Sequence, residues 1–389
     1  MYDAALEALD PARLRARQWQ RLLAVAEAIV GVNPFWTAKW RAAGLISARD
    51  LRGWDEFARL PLATKADLVA DQNASAPFGT NLTYPLERYV RVHQTSGTSG
   101  APLRWLDTQE SWEWWARCWG FVLAGAGVHR GDRAFFPFSF GLFVGFWAGF
   151  EGARALGALA IPGGGQDSAA RLAAMQTLGA TVLVCTPSYA LHLLQVARER
   201  GVDAAKLPVR VTVHAGEPGA GIPSVRARIE AGWGARAYDH AGMTEMGAYG
   251  FECEAQAGLH VNETEFIAEV IDPATGAPAA DGELVLTNLG RLDDMLIVRG
   301  VDVFPSSIEA VVRRFPVEEF QIEVFRDGEL DEVRVLVEVD GGVDGARRVQ
   351  EALRASIGIR LEVAPVAPGS LPRFELKARR VVRVVSRPW

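Results

Sequence analysis

The amino-acid sequence predicts an α/β protein with a large N-terminal domain and a small α+β C-terminal domain. Three observations lead to this prediction. The chain has 389 residues, which is enough for two or three domains. Between about residues 85 and 245, short strand-like apolar segments alternate with segments of helical periodicity, a pattern typical of parallel sheets covered by helices. After Glu245, strand-like segments joined by Pro/Gly turns indicate an antiparallel sheet.

The composition excludes several classes of protein. Hydrophobic residues make up 49% of the chain and charged residues 23%, as in globular proteins with a substantial core. The net charge of −6 argues against nucleic acid as a partner, because such binding usually needs a basic face. Cys118, Cys185 and Cys253 are too far apart for a disulfide framework, which favours a cytoplasmic location. The uncharged segment 134–150 is short for a membrane span and is interrupted by Pro137, so we expect a buried strand, a turn and a helix start, and no membrane partner.

The elements follow in order along the chain. Residues 10–60 have apolar positions at helical spacing, and Thr64 is the expected cap of the next helix. "RYVRVHQ" alternates like a strand, and the Trp-rich "TQESWEWWARCWGFVLAGAG" reads as a helix. The strand-like segments "RAFFPFS", "ALGALAIP", "ATVLVCTP", "VRVTVHAGE" and "GARAYDHAGMTE" then alternate with helical ones.

A third pattern begins near Asp293. It consists of "MLIVRG", the helix "SSIEAVVRRF", the strands in "FQIEVFRDGELDEVRVLVEVD" and the helix "GARRVQEALRASIG". This is a compact α+β unit of about a hundred residues, a common domain size. We therefore predict two domains, residues 1–292 and 293–389.

Five segments in one order carry a resemblance. They are "TSGTSGAP" (95–102), "HAGEP" (214–218), "YDHAGMTE" (238–245), "DDMLIVRGVDVFPSSIE" (293–309) and "LPRFELKARR" (371–380). Together they resemble the adenylate-forming superfamily, and in particular its phenylacetate–CoA ligase branch, from about residue 20 to 385. The resemblance implies that a carboxylic acid reacts with ATP to give an acyl-adenylate and pyrophosphate, and that coenzyme A then displaces AMP. It also implies a mobile C-terminal domain and suggests a homodimer.

The loop at the start of the first segment is the expected phosphate site. Gly97 and Gly100 allow the backbone to approach a ligand closely, and hydroxyl groups come from Thr95, Ser96, Thr98 and Ser99. The alternative is a solvated turn, which such residues also form. Ala101 stands where the family usually has a lysine, so one cation for the phosphates is missing.

The next two segments are expected to bind the rest of the nucleotide. The resemblance places Gly216, Glu217 and Pro218 in the adenine pocket, after a strand of the parallel sheet. It assigns Asp239 to the adenine amino group, Thr244 to the α-phosphate and Glu245 to Mg²⁺, an ion that prefers oxygen ligands. The family usually has an aromatic residue at Ala241 that stacks on adenine, and Tyr238 or His240 would have to replace it. The alternatives are an ordinary strand-end turn and a surface carboxylate.

The C-terminal segments supply the remaining roles. Lys377 matches the lysine that reaches the carboxylate and α-phosphate during adenylation, where a cation stabilises developing charge. The alternative is that Lys377 is one of several solvated charges in a basic tail that includes Arg373, Arg379 and Arg380. The resemblance makes Asp293 or Asp294 the hinge and places a loop at the CoA tunnel; this loop contains Arg299, Gly300 and Phe304. The alternative for this region is an inter-domain strand packed for stability.

The acyl group is expected to bind against the segment "FSFGLFVGFWAG" and beside the segment "YDHAGMTE" (238–245). The candidate pocket residues are Phe138, Phe140, Gly141, Phe143, Gly145, His240, Ala241 and Gly242. For any single phenylalanine, a place in the core is an equal alternative.

A segment of a few dozen residues that the family has between "GELVLTNLG" and "LDDMLIVRG" is absent here. It normally provides an aspartate for the ribose and, in some relatives, cysteines that bind zinc with positions matching Cys253 and His260. We therefore predict a reduced antiparallel subdomain and no zinc. The predicted function is ATP- and Mg²⁺-dependent activation of an aromatic acid and its transfer to coenzyme A. The alternatives are transfer to an amine or carrier protein, and a degenerate protein that only binds a ligand or partner.

Overall fold

The computed structural model describes residues 2–95, 102–272, 274–291, 297–299, 308–309, 311–327, 330–357, 362–373 and 380–384. Two compact units make up the chain. The first unit comprises residues 1–134, 140–161 and 240–301, and the second unit comprises residues 135–139, 162–239 and 302–389. The division of the protein into domains 1–292 and 293–389 stays a prediction.

Eleven α-helices have bounds within these ranges. They are α1 (Ala4–Glu7), α2 (Pro11–Ile29), α3 (Pro34–Ala42), α4 (Trp54–Phe57), α5 (Lys65–Ala74), α6 (Gln109–Gly125), α7 (Trp147–Leu156), α8 (Ser168–Leu178), α9 (Pro187–Glu199), α10 (Pro223–Trp233) and α11 (Gly342–Ile357). Short 3₁₀ helices cover Ala48–Asp50, Leu86–Arg88 and Ala204–Lys206.

The strands form four sheets. In chain order they are β1 (Tyr89–Gln94), β2 (Arg104–Thr108), β3 (Arg133–Phe136), β4 (Leu159–Pro162), β5 (Val182–Cys185), β6 (Val211–His214), β7 (Arg236–Met243), β8 (Gly247–Phe251), β9 (His260–Val261), β10 (Phe266–Ile271), β11 (Glu283–Asn288), β12 (Ile297–Arg299), β13 (Val317–Asp327), β14 (Leu330–Val339), β15 (Glu362–Pro365) and β16 (Val381–Val384).

The largest sheet has the strand order β4-β3-β5-β6-β7-β8-β9. Strands β5, β6 and β7 are parallel, whereas β8 and β9 are added antiparallel. Strands β5 and β6 are buried at every position, as expected for apolar strands covered on both faces. The predicted α/β class with a parallel sheet is therefore confirmed.

Antiparallel pairs dominate after Glu245, as the turn-rich sequence predicts. Strands β10, β11 and β12 form an antiparallel sheet in which Val285 pairs with Arg299. The C-terminal residues form a separate sheet with the order β15-β14-β13-β16. Helix α11 contributes Ala346, Val349 and Leu353 to the core of this α+β part, because these residues lie on one helical face.

Helix α6 is buried along most of its length, since it carries Trp112, Trp114, Trp115 and Trp119 on its buried faces. Its N-terminus is capped by Thr108, whose hydroxyl accepts a hydrogen bond from the Ser111 backbone N–H. The neighbouring segment 134–150 contains the end of strand β3 and the start of helix α7, as predicted. Within the residues that the structure describes, no helix is long and apolar enough to cross a membrane.

Candidate active site

The loop predicted to bind phosphate connects strands β1 and β2. These strands pair up to Gln94 and Arg104, and the Thr95 backbone N–H donates to the Leu103 carbonyl oxygen over 2.9 Å. The Leu103 backbone N–H donates to the Thr95 hydroxyl over 3.0 Å, so Thr95 closes the base of the loop. The other predicted phosphate-binding residues lie outside the described residues and stay a prediction; they are Ser96, Gly97, Thr98, Ser99 and Gly100.

The segment Gly216–Pro218 follows strand β6 at the carboxyl edge of the parallel strands. Gly216 has φ +91°, a left-handed conformation that favours glycine. Ligands of open α/β sheets bind at this edge. The place of this segment in the adenine pocket stays a prediction.

The Glu217 side chain has a partner that the sequence analysis missed. Its buried carboxylate accepts hydrogen bonds from the Ser188 backbone N–H over 2.8 Å and from Arg380 Nη1 over 3.1 Å. Burial alone would raise the pKa of Glu217, but Arg380 and Ser188 outweigh burial and hold this pKa below its usual value. Glu217 therefore anchors the loop through an ion pair with a C-terminal arginine.

Arg380 lies at the centre of a buried group of charges in the second unit. This group, the Arg380 cluster, consists of Arg380, Arg313, Glu217, Glu309 and Glu319. Arg380 Nε donates to Glu319 over 2.7 Å and its Nη1 donates to Glu309 over 3.1 Å. With three carboxylates and two guanidinium groups, the fully ionised cluster would carry a net negative charge. Burial raises the pKa of Glu309 to about 7, although Arg380 and Arg313 act in the opposite direction.

Asp239 and the loop after strand β6 lie together in the second unit. Asp239 pairs in register with His214 at the ends of β7 and β6. A β-carbon on Gly221 would collide with the Asp239 carboxylate, so glycine is needed for the loop to approach. Tyr238 is buried, with Arg236 stacked over its ring at 5.5 Å. The structure thus brings together two of the segments that the sequence assigns to adenine.

Thr244 and Glu245 are held by their backbone carbonyls in the first unit. Arg291 Nη1 donates to the Thr244 carbonyl oxygen over 3.2 Å and to the Glu245 carbonyl oxygen over 3.4 Å. The same guanidinium binds the Asp107 carboxylate over 2.7 Å. Neither Arg291 nor Asp107 was predicted, because they are separated by 184 positions and belong to no recognisable motif.

Glu245 is the predicted ligand of Mg²⁺. No group of three or more His, Cys, Asp or Glu side chains able to hold a metal occurs in the described part of the chain. Mg²⁺ is commonly held by one or two carboxylates together with substrate phosphates and water. A single carboxylate at Glu245 fits an ion bound in this way, and the role of Glu245 as a Mg²⁺ ligand stays a prediction.

His240 is a buried, neutral imidazole. Burial lowers the pKa of His240 to about 4, despite a contact of 2.7 Å between its Nδ1 and the Gly250 carbonyl oxygen. Because a carbonyl only accepts, Nδ1 carries the proton and Nε2 is an acceptor. The ring packs on Trp119 with 4.5 Å between centroids, and a β-carbon on Gly242 would come within 2.9 Å of Nε2. Gly242 therefore keeps space open beside the imidazole.

The predicted acyl-pocket residues of segment 138–145 differ in their surroundings. Phe138 is buried at 3% exposure, which favours a place in the core for this side chain. Phe140 has φ +54°, an unusual conformation for an aromatic residue, and packs on Trp147 with 4.7 Å between centroids. The Gly141 carbonyl oxygen accepts from Trp147 Nε1 over 3.0 Å. Phe143, like Gly145, is half-buried.

Of the predicted hinge, CoA and lysine residues, one lies in a strand that the structure describes. Arg299 ends strand β12. Outside the described residues lie Asp293, Asp294, Gly300, Phe304 and Lys377. Their roles, like those of the other site residues, stay predictions.

Comparison with known proteins identifies the family. The chain is 31% identical to a phenylacetate–coenzyme A ligase of Thermus thermophilus over 448 aligned positions, which cover 98% of this chain and 99% of the relative. The chain belongs to the phenylacetate–coenzyme A ligase family. A phenylacetate–coenzyme A ligase of Escherichia coli is also 31% identical, over 97% of this chain and 96% of the relative.

Solved structures and a domain profile agree with this assignment. A 2-hydroxyisobutyryl-CoA ligase in the postadenylation state, in complex with an AMP adduct, superposes with a TM-score of 0.83 at 26% identity, covering 97% of this chain and 90% of that one. The same ligase with CoA in the thioesterification state gives a TM-score of 0.72 at 27% identity, with the same coverage. The profile of the AMP-binding enzyme C-terminal domain matches residues 300–383. The protein is therefore an enzyme, an AMP-forming acid–thiol ligase, as predicted.

This ligase is shorter than its relatives. The alignment with the Thermus thermophilus ligase has 448 positions, 59 more than the 389 residues of this chain. At least that many positions of the alignment therefore have no residue here. This agrees with the absence of a segment of a few dozen residues that the sequence analysis inferred.

Cys253 Sγ lies 3.1 Å from His260 Nε2 in the first unit. The resemblance matches these two residues to zinc-binding positions of some relatives, whose partner cysteines lie in the segment that is absent here. A structural zinc site needs four ligands, and the expectation of no zinc stays a prediction.

Proposed function

We propose that this ligase activates an aromatic carboxylic acid. The observation that carries the proposal is the alignment with phenylacetate–coenzyme A ligases over almost the whole of both chains. In the first step, a carboxylate oxygen of the acid attacks the α-phosphorus of ATP, and the bond to pyrophosphate breaks. In the second step, the sulfur of coenzyme A attacks the acyl carbon, and AMP leaves as the thiol proton is released.

The proposed roles follow the positions of the motifs. The loop 95–100 binds the phosphates, Thr244 contacts the α-phosphate and Glu245 holds Mg²⁺. Lys377 stabilises the charge that develops between the carboxylate and the α-phosphate. Mg²⁺, when bound, neutralises phosphate charge and so makes attack by an anionic carboxylate possible.

An aromatic acyl group is supported by the surroundings of Ala241 and Gly242. The buried rings of Trp119 and His240 pack together with 4.5 Å between centroids, and Phe146 packs on Trp119 at 6.1 Å. The His240 ring of this group lies beside Gly242, where an added β-carbon would come within 2.9 Å of Nε2. Aromatic groups pack well against such rings in offset or edge-to-face arrangements.

A second candidate is a short branched hydroxy acid. This candidate is favoured by the similarity to the 2-hydroxyisobutyryl-CoA ligase, at a TM-score of 0.83 and 26% identity. Both candidates use the same two chemical steps and differ only in the shape of the acyl pocket.

The experiment measures ATP–pyrophosphate exchange and CoA-dependent AMP release with phenylacetate, benzoate and 2-hydroxyisobutyrate. We expect kcat/KM for one of the two aromatic acids to exceed that for 2-hydroxyisobutyrate by at least about tenfold, the value of one or two methylene-sized contacts in an apolar pocket. A preference for 2-hydroxyisobutyrate would replace the first candidate by the second. Exchange without CoA-dependent AMP release would show that another nucleophile accepts the acyl group.

Glu245→Gln tests the assignment of the metal ligand. We expect the exchange rate to fall on the order of 10²–10³-fold, as for other groups that stabilise charge in the transition state. Glu263→Gln is the matched control, because Glu263 is an exposed carboxylate of the same unit. An equal loss in both variants, or no loss in either, would contradict the role of Glu245.

A further inference from the structure

Arg291 is buried beside the segment 238–245, which carries Thr244 and Glu245. It is fully buried, at 0% exposure, and lies three positions after the end of strand β11 at Asn288. Its Nη2 donates to the Leu106 carbonyl oxygen over 3.2 Å and to Asp107 Oδ1 over 2.7 Å, while its Nη1 bridges the carbonyls of Thr244 and Glu245. A single guanidinium thus connects strand β2 to the segment after strand β7.

The partners of Arg291 are themselves held in place. Asp107 Oδ1 also accepts from the Ser111 hydroxyl over 3.1 Å, and Asp107 Oδ2 lies 3.6 Å from His93 Nδ1. The Arg291 backbone N–H donates to Asn288 Oδ1 over 3.0 Å. Burial alone would raise the pKa of Asp107, but Arg291 and His93 outweigh it, so this pKa is lowered and the ion pair is charged at neutral pH.

The direction of these bonds determines what the arginine can do. The guanidinium is planar and its donors point in fixed directions, so it fixes the orientation of the carbonyls that it binds. A peptide group whose carbonyl is held in this way also has a fixed position for the side chains on either side. In this segment those side chains are Thr244 and Glu245.

We propose that Arg291 is a positioning residue for adenylation. It orients the Thr244–Glu245 peptide so that the Thr244 hydroxyl meets the α-phosphate and the Glu245 carboxylate meets the metal-bound phosphates. This inference rests on the roles of Thr244 and Glu245 in the proposed function. The competing explanation is a buried ion pair that serves folding alone.

Arg291→Lys separates these explanations. Lysine keeps the positive charge beside Asp107, but its compact ammonium cannot bind a carboxylate and two successive carbonyls in the same fixed geometry. Arg21→Lys is the matched control, because Arg21 binds the buried Glu265 carboxylate over 2.7 Å and the Leu289 carbonyl oxygen over 3.0 Å. Both substitutions therefore loosen an arginine that binds a carboxylate and backbone carbonyls.

The first measurement is the affinity for AMP by isothermal titration calorimetry, without metal and without turnover. We expect Kd for AMP to rise on the order of 10–100-fold in Arg291→Lys, the loss that a few hydrogen bonds to charged groups produce, and by less than about threefold in Arg21→Lys. In ATP–pyrophosphate exchange, KM for ATP should rise in parallel in Arg291→Lys only. A similar change in both variants would overturn the proposal.

Thr244→Ala distinguishes failure of this inference from failure of the proposed function. If Thr244→Ala weakens AMP binding and Arg291→Lys does not, only the role of Arg291 is wrong. If Thr244→Ala leaves AMP binding unchanged, the assignment of Thr244 is wrong and this inference falls with it. If both variants weaken AMP binding, we expect the double variant to have the same Kd as the single variant with the larger Kd, because Arg291 acts through Thr244. Additive losses of binding free energy in the double variant would contradict this mechanism.

Asn288→Ala covers the case in which Arg291→Lys does not fold. It removes the acceptor of the Arg291 backbone N–H and leaves every charge in place. We expect Kd for AMP to rise about fivefold, the factor that corresponds to one ordinary hydrogen bond. An unchanged Kd in a folded Asn288→Ala variant would overturn the proposal.

Discussion

Replacing Glu309 by glutamine should change how the stability of this ligase depends on pH. Glu309 is 7% exposed and binds Arg380 over 3.1 Å and Arg313 over 3.4 Å. Glu319 also binds both of these arginines, and Glu217 also binds Arg380. Burial raises the pKa of Glu309 from 4.5 to about 7.

The sign of the effect follows from the number of bound protons. Between pH 4.5 and about 7, Glu309 is protonated in the folded protein and ionised in the unfolded chain, so the unfolded state binds fewer protons. The free energy of unfolding therefore falls as the pH rises through this window. The stabilising contribution is complete below pH 4.5 and lost above about pH 7. From pH 5 to pH 8 the loss amounts to about 2.5 kcal/mol for this group.

The glutamine variant has no proton to lose and should not show this decrease. We expect Glu309→Gln to be within about 1 kcal/mol of the wild type at pH 5, since an amide and a protonated carboxyl have similar size and hydrogen-bonding groups. At pH 8 the variant should be more stable than the wild type by about 2 kcal/mol. Urea unfolding followed by tryptophan fluorescence at several pH values measures both free energies.

Glu338→Gln is the matched control, because Glu338 is a second buried, arginine-bound glutamate of the same unit. The Glu338 carboxylate binds Arg373 Nη2 over 2.7 Å and the Leu371 backbone N–H over 2.7 Å. Burial would raise the pKa of Glu338, but these bonds outweigh it and lower this pKa, so the group is ionised from pH 5 to pH 8. Its replacement should cost the same free energy throughout this range. If Glu309→Gln also differs from the wild type by a constant amount, the reasoning on the Arg380 cluster is refuted.

Three further outcomes are expected. Lys377→Ala should reduce ATP–pyrophosphate exchange on the order of 10²–10³-fold and still convert a supplied acyl-adenylate to thioester at a near wild-type rate; equal loss in both assays would indicate a structural role. Gly290→Ala should lower the free energy of unfolding by about 2 kcal/mol or more, because its β-carbon would collide with the Trp114 indole nitrogen; a wild-type urea midpoint would contradict this packing. Metal analysis of untagged protein should find less than stoichiometric zinc, since Cys253 and His260 provide only two ligands of the four that a structural site needs; one zinc per chain would refute this.

The parallel sheet could be predicted because its strands carry a local signal. Val182–Cys185 is apolar at every position, Val211–His214 carries valine at alternate positions and is buried throughout, and a helical segment separates the two strands. Strands buried on both faces produce such runs, and the crossover helices produce the alternation. The antiparallel region after Glu245 could also be predicted from the sequence, since its Pro/Gly turns lie between short alternating segments.

The charged partners of the motifs could not be predicted from the sequence. Arg291 and Asp107 are separated by 184 positions, and Arg380 and Glu217 by 163 positions. A charged residue usually lies on the surface, and no periodicity distinguishes a buried one. The interpretation of Arg380 as a solvated charge in a basic tail is wrong, because its side chain is only 5% exposed and binds three carboxylates.

The two buried arginines are better explained by positioning than by stability. Replacing a buried ion pair by apolar residues of similar size is often neutral or stabilising, because desolvation offsets the attraction between the charges. An apolar side chain would also fill the space of Arg291, but it could not bind the carbonyls of Thr244 and Glu245. In the second unit, an apolar residue at position 380 would leave the Glu217 carboxylate without the guanidinium that it binds at 3.1 Å. Each arginine therefore fixes the orientation of a motif segment. Hydrophobic packing is not directional and cannot fix this orientation.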